Sequence, residues 1–100
     1  MSGKPISVVI KKSTKPEKKL MAVFSLDNGR NKTIYFGQKN AQDYTITRDK
    51  AQKSRYIARH RARENWNKPM SAGALSRWIL WDKESRAASI TSYKRRFNLK

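Results

Sequence analysis

The stretch LMAVFSLDNGRNKTIYFG, residues 20–37, decides the fold of the first third of the chain. It holds two runs of β-branched and aromatic residues, 20–26 and 32–37, which are typical of strands. Between them lies Asn28-Gly29, a strong hairpin signal because both residues tolerate positive φ. The stretch therefore predicts two antiparallel strands joined by a tight turn.

A further strand is predicted before this hairpin. The segment PISVVIKK, residues 5–12, alternates loosely and is rich in β-branched residues. Its short length and flanking lysines suit the edge of a sheet. The proline and the charges of the following segment indicate a loop, and we expect residues 1–4 and 11–19 to be mobile.

The first helical pattern follows a polar connection, QKNAQDYTIT, residues 38–47. Thr47 and Asp49 are both good N-cap residues, so the helix is expected to begin near one of them. It is expected to run to about Arg63, before the segment NWNKP, in which Pro69 disfavours a helical Lys68.

Two more helices are predicted downstream. Ser71 can cap a helix over AGALSRWILW, residues 72–81, which is apolar nearly all round and is therefore expected to be buried. After a short turn at 82–85, residues 86–98 form a last helix with Ile90, Tyr93 and Phe97 spaced along one side.

Together these elements predict one α+β domain over residues 1–100. A small three-stranded antiparallel sheet, a meander at 5–37, is followed by three α-helices at 47–98 that form a second layer on it. A length of 100 residues and a hydrophobic content of 37% suit a single compact core.

The charge of the chain is extreme. Lys and Arg number 24 against seven Asp and Glu, which gives a formal net charge of +17 at pH 7. Residues 1–47 contribute +6 and residues 48–100 contribute +11. Like charges repel one another in a folded domain, so we expect an anionic partner. Nucleic acid is the commonest such partner, and an anionic membrane surface is the second.

Several classes of site are disfavoured by composition. The chain has no cysteine, which excludes disulfides, thiolate metal sites and cysteine nucleophiles, and its single histidine argues against a His-based zinc site. No apolar run reaches the length of a membrane-spanning helix, and no signal-peptide core follows the first residues. We therefore expect no cofactor, no metal, no membrane partner and no secretion.

An arginine ridge is predicted on the first helix. At 100° per residue Arg48, Arg55, Arg59 and Arg63 share one stripe, beside an apolar side that holds Tyr56, Ile57 and His60. The ridge is interpreted as a phosphate-binding surface, and the alternative is a solvated helix face. A second basic patch, residues 94–96, lies near the end of the last helix.

The tryptophans divide into two groups. Trp78 and Trp81 are expected in the core, whereas Trp66 follows a helix end and either stacks on bases or plugs the fold. The residues predicted to bind nucleic acid are Arg48, Lys53, Arg55, Arg59, Arg63, Trp66, Lys94, Arg95 and Arg96.

A metal-dependent nuclease is a weaker hypothesis. His60, Glu64 and Asn65 lie close in sequence, but such sites need more carboxylates or a second histidine. We expect a packed histidine and no catalytic residues. Arg77 is expected to pair with Glu64 or Asp82 because a buried arginine needs a partner, and Gly73 indicates a close approach of another group to the backbone.

Six short pieces stand out along the part of the chain from Phe36 to Phe97: Arg59-His60, Asn65-Trp66, Ala72-Gly73, Ser76-Arg77, Leu80-Trp81 and Ser89-Ile90. Through these pieces the chain resembles a family of small proteins of unknown function encoded by large DNA viruses of algae and protists and by some phages. The resemblance implies a viral setting, in the virion or in the cytoplasm or nucleus of an infected cell. It implies no activity, cofactor or catalytic residue.

The leading hypothesis is a non-enzymatic nucleic-acid-binding protein of such a virus or phage, with DNA favoured over RNA as the partner. It would bind mainly through phosphate charge. A second hypothesis is a structural or scaffold protein of the virion that docks to an acidic core or capsid surface. A third is a host-directed inhibitor that mimics a basic ribosomal or nucleosomal protein.

Overall fold

The structure, a computed structural model, describes residues 3–100 and contains a three-stranded sheet. Strands β1 (Pro5–Lys12), β2 (Lys18–Leu26) and β3 (Asn31–Gln38) pair antiparallel in the order β1-β2-β3. This confirms the predicted meander, and β1 is an edge strand as expected. In register, Val9 faces Val23 and Val23 faces Thr33.

The loop between β1 and β2 is shorter than expected. Lys11 and Lys12 pair with Met21 and Leu20 within the sheet, so the strands reach into the segment predicted to be mobile. At the other predicted mobile segment, the Lys4 N–H donates to the Asp27 carboxylate at 3.0 Å. The prediction for residues 1 and 2 falls outside the described residues.

The β2–β3 turn is a three-residue loop built on glycine. The Leu26 N–H donates to the Arg30 carbonyl at 2.8 Å, and the Gly29 N–H donates to the Leu26 carbonyl at 3.1 Å. Of the predicted pair Asn28-Gly29, Gly29 alone has a positive φ, +83°. This geometry is that of a turn closed by a left-handed residue, a common hairpin loop of three residues.

The described helical part contains four α-helices where three were predicted. They are α1 (Tyr44–Thr47), α2 (Lys50–His60), α3 (Ala72–Leu75) and α4 (Arg86–Arg96), and a π-helical turn, Ser76–Leu80, continues α3. The additional helix, α1, lies in the segment predicted as a polar connection, and Arg48 closes it in a left-handed conformation, φ 54° and ψ 28°. The predicted first helix corresponds to α2, which begins after Asp49 as expected.

Side-chain caps fix where these helices start. Asp49 accepts from the N–H groups of Ala51 and Gln52 at 2.9 and 3.2 Å, and Ser71 accepts from Ala74 N–H at 3.2 Å. Such bonds satisfy donors that a helix N-terminus leaves free. The helix α2 ends at His60 rather than Arg63.

The core lies between the inner face of the sheet and the helices. Val8, Ala22, Phe24 and Phe36 alternate inward along the strands. The helices and the C-terminal segment cover them with Tyr44, Tyr56, Leu75, Ile79, Leu80, Trp81, Tyr93 and Leu99. The apolar helix predicted over 72–81 is thus confirmed as a buried element, since Leu75 and Ile79 have no exposed surface.

The chain end is tied to β1. The Lys100 N–H donates to the Ile6 carbonyl at 3.1 Å, and the Val8 N–H donates to the Lys100 carbonyl at 2.9 Å. Leu99, next to Lys100, is buried in the core. These bonds cover part of the open edge of β1, which would otherwise present unpaired backbone groups.

Replacing Gly37 with alanine is expected to destabilise the fold by about 2–5 kcal/mol, since a left-handed residue costs about 1–2 kcal/mol and overpacking adds about 1–3. Gly37 has a φ of +78°, and an added Cβ would lie 2.9 Å from Leu80 Cδ1 and 3.2 Å from Lys19 Cβ. Urea unfolding followed by tryptophan fluorescence measures the change.

Gly29 provides a matched control. Its φ is similar, +83°, but among residues 3–100 an added Cβ would meet no atom within 4 Å. Gly29→Ala should therefore show the backbone cost alone. Equal losses for the two variants would contradict a steric role for the contact between Gly37 and Leu80.

Candidate nucleic-acid interface

Helix α2 presents two arginines to solvent. Arg55 and Arg59 are exposed and lie one helical turn apart, whereas Tyr56 is buried and Ile57 and His60 are half-buried. This arrangement agrees with the predicted division of the helix into a packed side and an arginine side. It follows from the sequence because the packed residues recur at helical spacing.

Arg48 and Arg63 do not extend that row along the helix. Both are exposed, but Arg48 lies in the left-handed link before α2 and Arg63 lies in a turn after it. The Arg63 N–H donates to the His60 carbonyl at 3.0 Å, which tightens the chain beyond the helix end. The prediction that one helix carries all four arginines is therefore wrong, and α2 carries Arg55 and Arg59.

Lys53 faces the interior rather than the arginine side. Its Nζ donates to the Asp82 carbonyl at 2.7 Å and lies 4.9 Å from the centre of the Tyr44 ring. Burial lowers the pKa of Lys53, and the nearby Asp82 carboxylate opposes that shift. Lys53, which was predicted to bind nucleic acid, thus holds α2 to the segment after the π-helical turn.

Trp66 belongs to a stack of aromatic rings and guanidinium groups. Arg77 lies 5.3 Å from the Trp66 ring centre and 4.3 Å from that of Trp78, and Arg96 lies 3.5 Å from that of Trp78. The Trp78 indole N–H donates to the Trp66 carbonyl at 2.9 Å. Cations prefer such positions because the ring face is electronegative. We call these four residues the Trp–Arg stack.

Within the stack, Trp66 is held from both sides. Its own indole N–H donates to Glu64 Oε1 at 2.7 Å, and its ring meets the edge of Trp78 at 6.4 Å. Trp66 is half-buried, so it packs against the fold while part of its side chain remains at the surface. Trp81 is buried as expected, whereas Trp78 is half-buried under Arg96.

Arg77 supplies the inner cation of the stack. Its Nη1 donates to the Trp81 carbonyl at 2.9 Å and lies 3.8 Å from Asp82 Oδ1, which confirms the predicted pairing with Asp82. Burial lowers the pKa of Arg77, and the Asp82 carboxylate opposes part of that shift. Arg77 therefore has a structural role in positioning Trp78.

The stack brings the second basic patch next to the loop after α2. Arg95 and Arg96 are exposed and Lys94 is half-buried in the last turn of α4. Because Arg96 covers Trp78 and Trp78 binds the Trp66 backbone, this patch adjoins the segment 61–68. That segment adds exposed Arg61 and Lys68, which sequence reasoning missed although both stood among the charges around Trp66.

His60 is a packed residue, as predicted. Its ring lies 4.3 Å from Tyr56, and its Nδ1 lies 3.1 Å from Glu64 Oε2. Glu64 also lies against Gly73, where an added Cβ would be 3.1 Å from Cδ, so the predicted close approach at Gly73 is confirmed. In residues 3–100, no three His, Cys, Asp or Glu side chains group as metal ligands would.

Few of the cations are neutralised by acids. Residues 3–100 hold all 24 Lys and Arg, and in this part of the chain Lys19, Arg77 and Arg86 are the three that lie 2.5–3.8 Å from a carboxylate oxygen. Asp49 is occupied as the cap of α2 and Glu64 by His60 and Trp66. The surface therefore keeps a strong positive field.

No helix among the described residues is long and apolar enough to cross a membrane.

Comparison with known proteins gives one kind of match. A family model described as "Family of unknown function (DUF5754)" matches residues 8–60, which covers the sheet except the first three residues of β1, together with α1 and α2. The matched range shares residues 36–60 with the resemblance noted over residues 36–97. It also includes β2 and most of β1, which lie outside that resemblance. No curated protein and no solved structure matches the chain at a significant level.

Proposed function

Because the chain belongs to the DUF5754 family, which has no known function, we propose a function from its surface: it is a non-enzymatic nucleic-acid-binding protein. Arg55 and Arg59 on α2 form one contact region. Arg95 and Arg96 at the end of α4 form the second. Both regions bind phosphates, so the protein positions itself on the backbone and has modest sequence preference.

The observation that carries this proposal is the unpaired positive charge. A net charge of +17 on 100 residues is accompanied by three Lys or Arg side chains with a carboxylate partner in the described chain. Self-repulsion of this size opposes folding and is relieved when a polyanion binds. Phosphate neutralisation also releases counterions, which makes the binding strongly dependent on salt.

The proposal also specifies the kind of nucleic acid and the biological setting. We favour DNA over RNA and a large DNA virus or phage as the source, with the protein in the virion or in the infected cell. The support is the resemblance carried by residues 36–97, in which Arg59-His60 and Asn65-Trp66 are included. Arg59 belongs to both the resemblance and the exposed side of α2.

Fluorescence anisotropy with labelled single- and double-stranded DNA and RNA across a salt series tests the proposal. The expected result is binding with a steep salt slope, about 0.9 per phosphate neutralised on duplex DNA, and a clear ranking of the four nucleic acids. Equally weak binding to all four that is lost by about 0.15 M salt, where the Debye length is about 8 Å, would contradict it.

A scaffold protein of the virion is the second candidate, and the exposed part of β1 favours it. Ile6 and Val9 are 51% and 57% exposed, and Val9 shares the outward face of β1 with the exposed Lys11, two residues further along the strand. An apolar and basic surface of this kind suits an acidic protein. Nuclease treatment of purified particles separates the candidates, because a scaffold stays with the shell after the genome is removed.

A further inference from the structure

A cleft opens beside the arginine side of α2. It has a volume of about 580 Å³ and lies between the end of β3, the loop at 41–43, α2 and the helix formed by α3 with its π-helical turn. Sites for small organic ligands usually enclose about 300–1,000 Å³. The cleft is therefore large enough for a nucleotide.

Three stacked rings line this cleft. Tyr56 lies 4.5 Å from Trp81 with 7° between the ring planes, and 4.3 Å from His60 with 25° between them. Two rings at these distances occupy opposite faces of Tyr56, so His60 forms one end of the stack. Tyr56 and Trp81 are buried, whereas the His60 side chain is 38% exposed. A planar heteroaromatic ring can extend the stack on His60.

Two cations of the cleft are free to bind an anion. Lys18 and Arg59 line it, and within the described chain neither has a carboxylate partner of the kind that Lys19 has in Asp43. The acids of the cleft are already occupied. Asp43 binds Lys19, and Glu64 is held by His60 Nδ1 and by the indole N–H of Trp66.

Amide groups lie on the loop side of the cleft. Gln42 and Gln52 both line it, and the Gln52 Nε2 donates to the Gln42 Oε1 at 3.2 Å. The Gln52 Oε1 accepts from the Thr47 hydroxyl at 2.8 Å. These bonds fix both amides and leave the Gln42 Nε2 group as a donor for an acceptor on a ligand.

We propose that the cleft binds an unpaired nucleotide of the nucleic acid that the basic surface holds. The base stacks on the exposed face of His60, and its phosphate is bound by Arg59 and Lys18. Stacking tolerates any base because every base has a π-face, so the site selects single-stranded or frayed segments rather than a sequence. The inference rests on the proposed function.

The single histidine of the chain gives a direct test. The probes are dAMP, deoxyadenosine, inorganic phosphate, a hexamer of deoxyadenosine and a blunt self-complementary duplex, each added to the full chain at one fixed pH. The His60 Hε1 proton resonance is followed by NMR. Stacking of the base is expected to move it upfield with dAMP and with the hexamer, and neither phosphate nor the duplex should reproduce that shift.

A matched pair of variants locates the phosphate. Arg59 lines the cleft, whereas Arg30, exposed in the turn between β2 and β3, lies outside the lining formed by the described residues and outside both proposed contact regions. Arg59→Gln is expected to weaken dAMP binding about tenfold or more, in line with the loss of one charge-assisted hydrogen bond. Arg30→Gln, which removes the same charge, should leave dAMP binding unchanged.

The outcomes distinguish the two proposals. A His60 resonance that does not move with dAMP or the hexamer, while anisotropy still reports binding, overturns the cleft and leaves the proposed function intact. An upfield shift of equal size with the duplex overturns selection of unpaired nucleotides. A shift with dAMP but no binding of any oligonucleotide overturns the proposed function and the strand as ligand, and identifies the cleft as a site for free nucleotides.

Discussion

Replacing Asp43 with alanine should lower the free energy of unfolding by about 3–5 kcal/mol, the usual loss when one partner of a buried ion pair is removed. Asp43 is 1% exposed, and its Oδ2 lies 2.5 Å from Lys19 Nζ and 3.7 Å from Arg86 Nη2. Its Oδ1 accepts from the Thr45 N–H at 2.9 Å and caps α1. One carboxylate therefore joins β2, α1 and α4.

Two variants separate the roles of this carboxylate. Asp43→Asn keeps an acceptor for Thr45 but removes the charge that faces Lys19, so its loss should be smaller than that of the alanine variant. Glu17→Ala, at an exposed position of the loop between β1 and β2, is the control and should change stability by less than about 0.5 kcal/mol. Urea unfolding measures all three, and a loss below about 1 kcal/mol for Asp43→Ala would contradict the ion-pair role.

The sequence could not predict this junction, because its members are distant along the chain. The segment around Asp43 predicted a structured connection, and Asp43 itself carried no signal of burial. Its burial depends on Lys19 and Arg86 reaching it from β2 and α4, which is a tertiary arrangement. Charged residues are rarely this buried unless they are paired, so a single sequence favours the exposed alternative.

Local signals were sufficient for most of the fold. The Asn28-Gly29 hairpin, the cap at Ser71 and the buried helix after it depend on neighbours within one turn or one strand, and each is confirmed. The π-helical turn Ser76–Leu80 was not predicted, because an apolar run gives the same signal for an α-helix. Trp78, within this turn, packs in the Trp–Arg stack, and Trp81, directly after the turn, stacks on Tyr56.

The candidate site was predicted only where it depends on the regular geometry of one helix. Projection at 100° per residue places Arg55 and Arg59 correctly, since α2 is regular between them. It fails at Arg48, where the backbone becomes left-handed, and it gave no indication that Lys53 would reach Asp82. The cleft beside α2 was also missed, because β3, α2 and the π-helical turn meet there from separate parts of the chain.

Reversing the charge of both exposed arginines of α2 is expected to have the largest effect on binding. Arg55→Glu with Arg59→Glu should weaken binding of duplex DNA at least about 100-fold at low salt, since each of the two lost hydrogen bonds to a charged phosphate contributes about 1.5–3 kcal/mol. The salt slope should fall by about 2, one unit for each lost phosphate contact. Neither side chain is buried, so the fold should tolerate the change, and circular dichroism with urea unfolding checks that it does.

The control must match the change in net charge, because any loss of positive charge weakens attraction to a polyanion. Lys11→Glu with Lys12→Glu alters the charge by the same amount on exposed residues of β1. If α2 contacts the phosphates, this control should lose much less affinity and keep most of its salt slope. Equal losses in the two double variants would mean that the whole surface attracts DNA without a defined interface, and α2 would then have no special role in binding.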